Sequence, residues 1–238
     1  MRFATNRDQQ KVVREDFSNI VSFIRSVYRR HVIGNHGMKF PPYSRDIARV
    51  IKHSVDPVRY ESFALSIATI EREQVPGAFP EVGVSRGHTS YFIHFQAPQR
   101  TLHLFDTFCG FTDSDLEGAK QADAKRFRDT SVATVKSRLG DGENVVFHVG
   151  RFPETVTELG NETFSLVVLD LDIYKPTLAA LDFFYPRISR GGYCFLHDYN
   201  SPESDSAIRR ATCAFLKDKP ELLVELPDTW GSALFRKI

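Results

Sequence analysis

Cysteine is scarce in this 238-residue chain, and the three that occur, Cys109, Cys194 and Cys213, include no Cys-x-x-Cys spacing. An odd number of scattered cysteines favours free thiols in a reducing compartment. Cys194 lies in an apolar, strand-like run and Cys213 in a helical pattern, so both are expected to be small core residues.

Long apolar runs and an excess of one charge are also absent. No run approaches the ~18 residues of a membrane span, and the first residues lack the apolar core of a signal peptide. The net charge of +1 provides no general attraction to nucleic acid or to an anionic membrane. We therefore expect a soluble, cytoplasmic protein whose partner is neither nucleic acid nor membrane.

The length allows one α/β domain with an N-terminal extension. Apolar residues recur at helical spacing over residues 9–31, and capping residues predict two further helices, over 45–53 and 57–73. The predicted division is a helical extension or lid over residues 1–75 and a catalytic domain over residues 76–238.

Strand-like and helix-like segments alternate from Phe79 onward, which predicts a mostly parallel sheet covered on both faces. The predicted strands are 79–84, 101–106, 144–149, 165–170, 192–197, 221–226 and 232–237. The predicted helices are 88–97, 119–139, 152–159, 175–186 and 204–218. The last two strands are joined by too few residues for a crossover helix and must be antiparallel. A Rossmann-like, seven-stranded α/β sheet that ends in such a hairpin is typical of class I methyltransferases.

The first strand runs into the glycine pattern Glu81-x-Gly83-x-x-x-Gly87. This spacing differs from that of the dinucleotide loop and fits a loop that lets S-adenosylmethionine lie against bare backbone. Thr89 and Ser90 open the next helix, whose free N–H groups suit a carboxylate. The predicted cofactor-binding residues here are Glu81, Gly83, Ser85, Gly87, Thr89 and Ser90. A tight turn without a ligand is the alternative.

The ends of the next two strands complete the expected cofactor site. Asp106 ends the second strand, where an acidic residue accepts the ribose hydroxyls; the alternative is that it caps a turn. Gly150 and Phe152 follow the third strand, where adenine would lie. Phe152 packs either on adenine or in the core.

Acidic residues and a histidine end the fourth and fifth strands. Alternation puts Asp170 and Asp172 on one side of the fourth strand, and His197 and Asp198 end its neighbour. Convergence of these carboxylates costs repulsion unless a cation offsets it, so we expect a divalent metal beside the cofactor. A metal lowers the pKa of an acceptor hydroxyl, and a base takes its proton. Helix capping explains one or two of these residues but not all four.

These residues resemble the macrocin O-methyltransferase family of the TylF and MycF type. The matching segments are 81–87, 104–111, 169–177, 181–193 and 197–199. The resemblance implies methylation of a hydroxyl on a sugar, or another vicinal diol, of a natural product, with S-adenosylmethionine and Mg²⁺. It also implies metal ligands at Asp170, His197 and Asp198, and Asp172 close by as a ligand or base.

The chain departs from the family pattern at His197, where an aspartate is usual, and at Leu171, where a glycine is usual. Imidazole is a poorer ligand than oxygen for Mg²⁺. The expected ion is therefore Mg²⁺, with Mn²⁺, Fe²⁺ or another imidazole-tolerant metal as alternatives, and loss of the metal is a further alternative. Alternatively, His197 is the general base. The candidate catalytic residues are therefore Asp170, Asp172 and His197.

Four other interpretations stay open. A glycosyltransferase would use Asp170 and Asp172 to hold a metal and a sugar nucleotide. A catechol-type phenol chelates a metal as a sugar diol does, so the acceptor class is also open. A nicotinamide-dependent oxidoreductase and a catalytically dead binding module are the remaining alternatives. The oligomeric state, a homo-oligomer included, is not determined by the sequence.

Overall fold

The computed structural model describes residues 24, 44–110, 128–140, 143–157, 159–202 and 205–238. The chain divides into two compact units, Met1–Pro42 and Tyr43–Ile238. The helix predicted over residues 9–31 lies outside the described residues, apart from Ile24, which is helical. The predicted domain boundary after residue 75 stays a prediction.

Six α-helices and seven strands form the described part of the second unit. The helices are α1 Arg45–His53, α2 Pro57–Arg72, α3 His88–Gln96, α4 Val132–Leu139, α5 Tyr174–Phe184 and α6 Ala207–Leu216. The strands are β1 Phe79–Val82, β2 Leu102–Asp106, β3 Val145–Val149, β4 Phe164–Leu169, β5 Ile188–Leu196, β6 Val224–Glu225 and β7 Ala233–Arg236.

The strands form one sheet in the order β3-β2-β1-β4-β5-β7-β6. Strands β1 to β5 are parallel, whereas β7 runs antiparallel to both β5 and β6. The predicted fold class is therefore confirmed, including the antiparallel C-terminal pair. Because the chain order reverses between β1 and β4, the carboxyl ends of these two strands mark the place where such sheets bind ligands.

Helices cover both faces of the sheet. One core cluster joins the four helices α1, α2, α3 and α4 with one face of the sheet. In this cluster, Phe63 of α2 packs against Phe195 of β5 with ring centroids 4.5 Å apart. The other cluster joins α5 and α6 with the opposite face. All six residues of β4 are buried, as expected for a central parallel strand. Helices α1 and α2 thus belong to the same hydrophobic core as the strands.

Two predicted helices differ from the structure. The helix predicted over 119–139 begins only at Val132 within the described residues, because the Ser131 side chain accepts from the Thr134 N–H and caps a new helix there. Residues 119–127 lie outside the described part. The helix predicted over 152–159 is only a 3₁₀ turn, Glu154–Val156. Pro153 has no N–H and Gly160 is left-handed, which leaves too short a segment for an α-helix.

The cysteine predictions are half right. Cys194 is buried in β5, but Cys213 lies on the exposed side of α6, with its sulfur 3.4 Å from the Tyr199 hydroxyl. The prediction for Cys213 is wrong because the helical pattern around it does not show which face of α6 the cysteine occupies. Among the described helices, none has both the length and the apolar character needed to cross a membrane.

The N-terminus of α2 is tied to the loop that precedes β7. Asp56 caps α2: one carboxylate oxygen accepts from the Arg59 N–H at 3.2 Å, and the other accepts from the Thr229 N–H at 3.1 Å. Asp56 is only 1% exposed, so both bonds are shielded from water. Ser44 caps α1 by accepting from the Ile47 N–H at 3.2 Å, the one bond of its side chain to the described residues.

We expect Asp56→Ala to lower the free energy of unfolding by about 2–4 kcal/mol, because it removes a cap and leaves the Thr229 N–H without its acceptor. Ser44→Ala is the matched control, with an expected loss of about 1 kcal/mol. Urea unfolding of both variants measures the difference. Equal losses would contradict the contribution of the Thr229 bond.

Candidate active site

The glycine loop follows β1 and lies directly against β4. Gly83 has φ +90°, and a Cβ built on it would lie 1.9 Å from the carbonyl oxygen of Asp170. Gly87 has φ +72°, and its Cβ would lie 2.8 Å from a methyl carbon of Val135 in α4. Both glycines are thus required by contacts within the protein itself, a stronger constraint than the cofactor contact expected from the sequence.

Asp106 at the end of β2 holds the glycine loop in place. One carboxylate oxygen accepts from the N–H groups of Val84 and Ser85, at 2.7 and 2.9 Å, and the other accepts from the N–H of Phe108 at 2.7 Å. A carboxylate has about four acceptor positions, so roughly one is left for a ligand hydroxyl. Asp106 therefore acts on the loop backbone, the turn-capping role that the sequence left as the alternative to ribose binding.

An open pocket lies where β1, β2 and β4 end. Seven predicted site residues line it: Gly83, Ser85, Asp106, Gly150, Phe152, Asp170 and Asp172. Phe152 is 7% exposed and stacks on Phe184 with centroids 5.6 Å apart, so it packs in the core as well as forming a wall of the pocket.

The other four predicted cofactor residues do not line this pocket. Glu81 and Ser90 lie beneath it, both buried, and the Ser90 hydroxyl donates to the Glu81 carboxylate. The pKa of Glu81 is raised to about 8. Burial is the largest cause, the bond from Ser90 opposes it, and the charge of the neighbouring Asp170 adds to it. Gly87 and Thr89 are at the start of α3, which has no side-chain cap.

Asp170, His197 and Asp198 converge as the sequence predicts. Their ligand atoms lie within 4.8 Å of one another, and His197 Nδ1 lies 2.9 Å from an Asp170 oxygen and 3.2 Å from an Asp198 oxygen. Burial alone lowers the pKa of His197, but the charge of Asp170 and hydrogen bonds to both carboxylates raise it to about 10. Asp172 is not in this group of three and lies on the pocket wall instead.

Left-handed backbone conformations are concentrated around this site. Ser85, Phe108, Asp172 and Asp198 have φ values between +50° and +59° although none is glycine. Such a conformation costs on the order of 1 kcal/mol per residue. Ser85 and Asp172 line the pocket, and Asp198 belongs to the three-residue cluster. Gln74, Asp205 and Ser206 have the same conformation elsewhere in the described residues.

Two residues near the site were missed by the sequence analysis. Arg59 of α2 is 8% exposed, and its position four residues before Phe63 puts it on the buried face of the helix, which was the available signal. Trp230, the only tryptophan, is 38% exposed, and its ring centroid lies 6.4 Å from that of His197. Nothing in its local sequence indicates this proximity.

The sheet order, the glycine loop against β4 and the pocket at the strand ends define a class I methyltransferase fold. The chain belongs to the macrocin-O-methyltransferase (TylF) family, whose model matches residues 13–221. Membership of this family of S-adenosylmethionine-dependent O-methyltransferases confirms the predicted resemblance. It leaves no support for the glycosyltransferase and nicotinamide alternatives.

Individual relatives are more distant. Mycinamicin III 3''-O-methyltransferase from Micromonospora griseorubida is 31% identical over 154 residues, 58% of this chain and 61% of that protein. Demethyldecarbamoylnovobiocin O-methyltransferase from Streptomyces niveus is 26% identical over 202 residues, 78% of this chain and 72% of that protein. The solved structure of the O-methyltransferase NovP matches with a TM-score of 0.62 and 24% identity, covering 76% of this chain and 80% of that one.

We expect the stability of the metal-free protein to fall as the pH rises from about 4.5 to about 8, because the unfolded Glu81 ionises at pH 4.5 while the folded one keeps its proton until pH 8. Glu81→Gln has no such titration. The variant should therefore gain a few kcal/mol relative to wild type across this window, with no further gain above pH 8. Urea unfolding at unit pH intervals measures the difference, and parallel curves would contradict the shifted pKa.

Proposed function

We propose that this chain transfers the methyl group of S-adenosylmethionine to a hydroxyl on the sugar of a natural product, assisted by a divalent cation held by Asp170, His197 and Asp198. The observation that carries the proposal is the position of Asp170, which is both a wall of the pocket and a member of the three-residue cluster. A cofactor in the pocket and a cation at the cluster would therefore be neighbours.

The pocket supports S-adenosylmethionine as the cofactor. Asp106 offers its remaining acceptor position to a ribose hydroxyl, and Phe152 offers an apolar wall to adenine. Three carboxylates, Asp106, Asp170 and Asp172, line the pocket together with one cation, Arg151. This excess of negative charge suits a cationic sulfonium. The roles of individual residues in this arrangement are part of the proposal.

The cluster fits a cation in both chemistry and spacing. Two carboxylates and one imidazole are a donor set that Mn²⁺ and similar ions accept more readily than Mg²⁺, and the 4.8 Å limit allows all three atoms to contact one ion. When bound, such an ion supplies a positive charge that lowers the pKa of a coordinated hydroxyl. His197 must release its Nδ1 proton to become a ligand, and its raised pKa opposes this step.

We assign to Asp172 the role of general base, which takes the proton from the acceptor hydroxyl. As a ligand of the cation, His197 would use its Nδ1 lone pair for the ion and could not accept this proton. Asp172 lies on the pocket wall outside the three-residue cluster, beside the proposed acceptor, where a carboxylate can take up a proton.

The sugar assignment for the acceptor follows the relatives. Two of them are named for mycinamicin III and demethyldecarbamoylnovobiocin. In this chain, Trp230 lies next to His197 with more than a third of its surface exposed. Its ring offers the kind of large, rigid apolar surface on which the C–H face of a sugar ring packs.

Cation binding can be measured directly because the single Trp230 lies close to the cluster. We expect Mn²⁺ or Co²⁺ to quench the fluorescence of Trp230 in the wild type. Asp170→Asn should lower the affinity for the ion at least about 100-fold, because it removes a ligand. Asp172→Asn is the matched control: it should bind the ion as the wild type does. Quenching that is identical in wild type and Asp170→Asn would place the cation elsewhere.

Methyl transfer is tested with S-adenosylmethionine, Mn²⁺ or Mg²⁺, and mycinamicin III or demethyldecarbamoylnovobiocin as the acceptor. The readout is the release of S-adenosylhomocysteine. We expect Asp172→Asn to lower kcat by about 10²–10⁴-fold while cation binding is retained, as for loss of a general base. A variant that retains full activity would contradict the role of Asp172.

A further inference from the structure

Arg59 is a buried cation, with only 8% of its surface exposed. Among the described residues, no carboxylate forms an ion pair with its guanidinium. Its Nε is buried without a hydrogen-bond partner among the described residues. Arginine is rarely buried unless it is paired, because an uncompensated guanidinium loses its hydration energy. A ligand anion would provide the missing partner.

The surroundings of Arg59 lead to the start of α3. Its guanidinium lies over the ring of Tyr60, 5.4 Å from the centroid, and the Tyr60 ring packs edge-on against Phe92 of α3 at 4.8 Å. Burial raises the pKa of the Tyr60 hydroxyl, whereas the charge of Arg59 and hydrogen bonds from Thr89 and Arg59 lower it. Arg59 and Thr89 thus approach the same hydroxyl, at the first turn of α3.

The first turn of α3 is itself suited to an anion. The helix has nine residues, and Gly87 at its N-cap provides no side-chain acceptor for the free N–H groups that follow. Arg59 approaches this helix through Tyr60, whose ring packs on Phe92 one turn beyond the helix start.

We infer that Arg59, together with the N–H groups at the start of α3, binds the carboxylate of the methionine part of S-adenosylmethionine. The inference rests on the proposed function, since it assigns one end of the proposed cofactor. The adenosine end occupies the pocket at Asp106, and the glycine loop connects that pocket with the start of α3. A guanidinium donates two parallel hydrogen bonds to a carboxylate, which explains an arginine here better than a lysine.

The test compares S-adenosylmethionine with decarboxylated S-adenosylmethionine, which lacks only this carboxylate. By calorimetry, we expect the wild type to bind S-adenosylmethionine about 10- to 100-fold more tightly. Arg59→Gln should lower the affinity for S-adenosylmethionine by a similar factor and leave the affinity for decarboxylated S-adenosylmethionine unchanged. The ratio of the two dissociation constants should therefore fall at least about tenfold. Arg59→Lys should give an intermediate ratio.

Arg72→Gln is the matched control, because Arg72 is on the same helix and its side chain is 63% exposed. The ratio of the two dissociation constants in this variant should equal that of the wild type. Equal wild-type affinities for the two compounds, or an Arg59→Gln variant that weakens both equally, would overturn the inference and leave the proposed function intact. If the wild type binds neither compound, the proposed function itself fails. The wild-type comparison decides the matter even if Arg59→Gln does not fold.

Discussion

The contact between Gly83 and the carbonyl of Asp170 is the constraint on which the site depends. It brings the loop after β1 against the end of β4 at a distance that no side chain allows. Asp106 then fixes the same loop from the β2 side through three backbone N–H groups. The pocket is the space left between these strand ends, so its shape is set by backbone contacts more than by the side chains that line it.

Charge balance is the second organising feature. Asp106 and Asp170 act on the buried Glu81, and Asp170 and Asp198 contact His197. The nearby cations include Arg59, which acts on Glu81, and Arg151, which lines the pocket. The protein relieves part of the repulsion by protonation, since the pKa of Glu81 is raised to about 8. The rest favours positively charged ligands, namely the sulfonium of the cofactor and a divalent ion.

Much of the architecture could be predicted from the sequence because strand ends carry local signals. The glycine loop, Asp106 and the pair Asp170 and Asp172 each follow an apolar run, and the parallel topology brings them together. Arg59 and Trp230 could not be found this way: the position of each depends on packing between segments far apart in the chain. The helix predicted over 152–159 is wrong because Pro153 and Gly160 limit this segment to a 3₁₀ turn.

The bond between Asp56 and Thr229 joins residues 173 positions apart. It makes the first turn of α2, where Arg59 lies, depend on the loop before the last strand. Closing so long a loop costs entropy that local helix formation does not repay, so this turn is among the parts of the fold completed late. During synthesis, most of the sheet is available to pair before this bond can form. The contribution of this bond to the turn that carries Arg59 is thus available only after residue 229 has been synthesised.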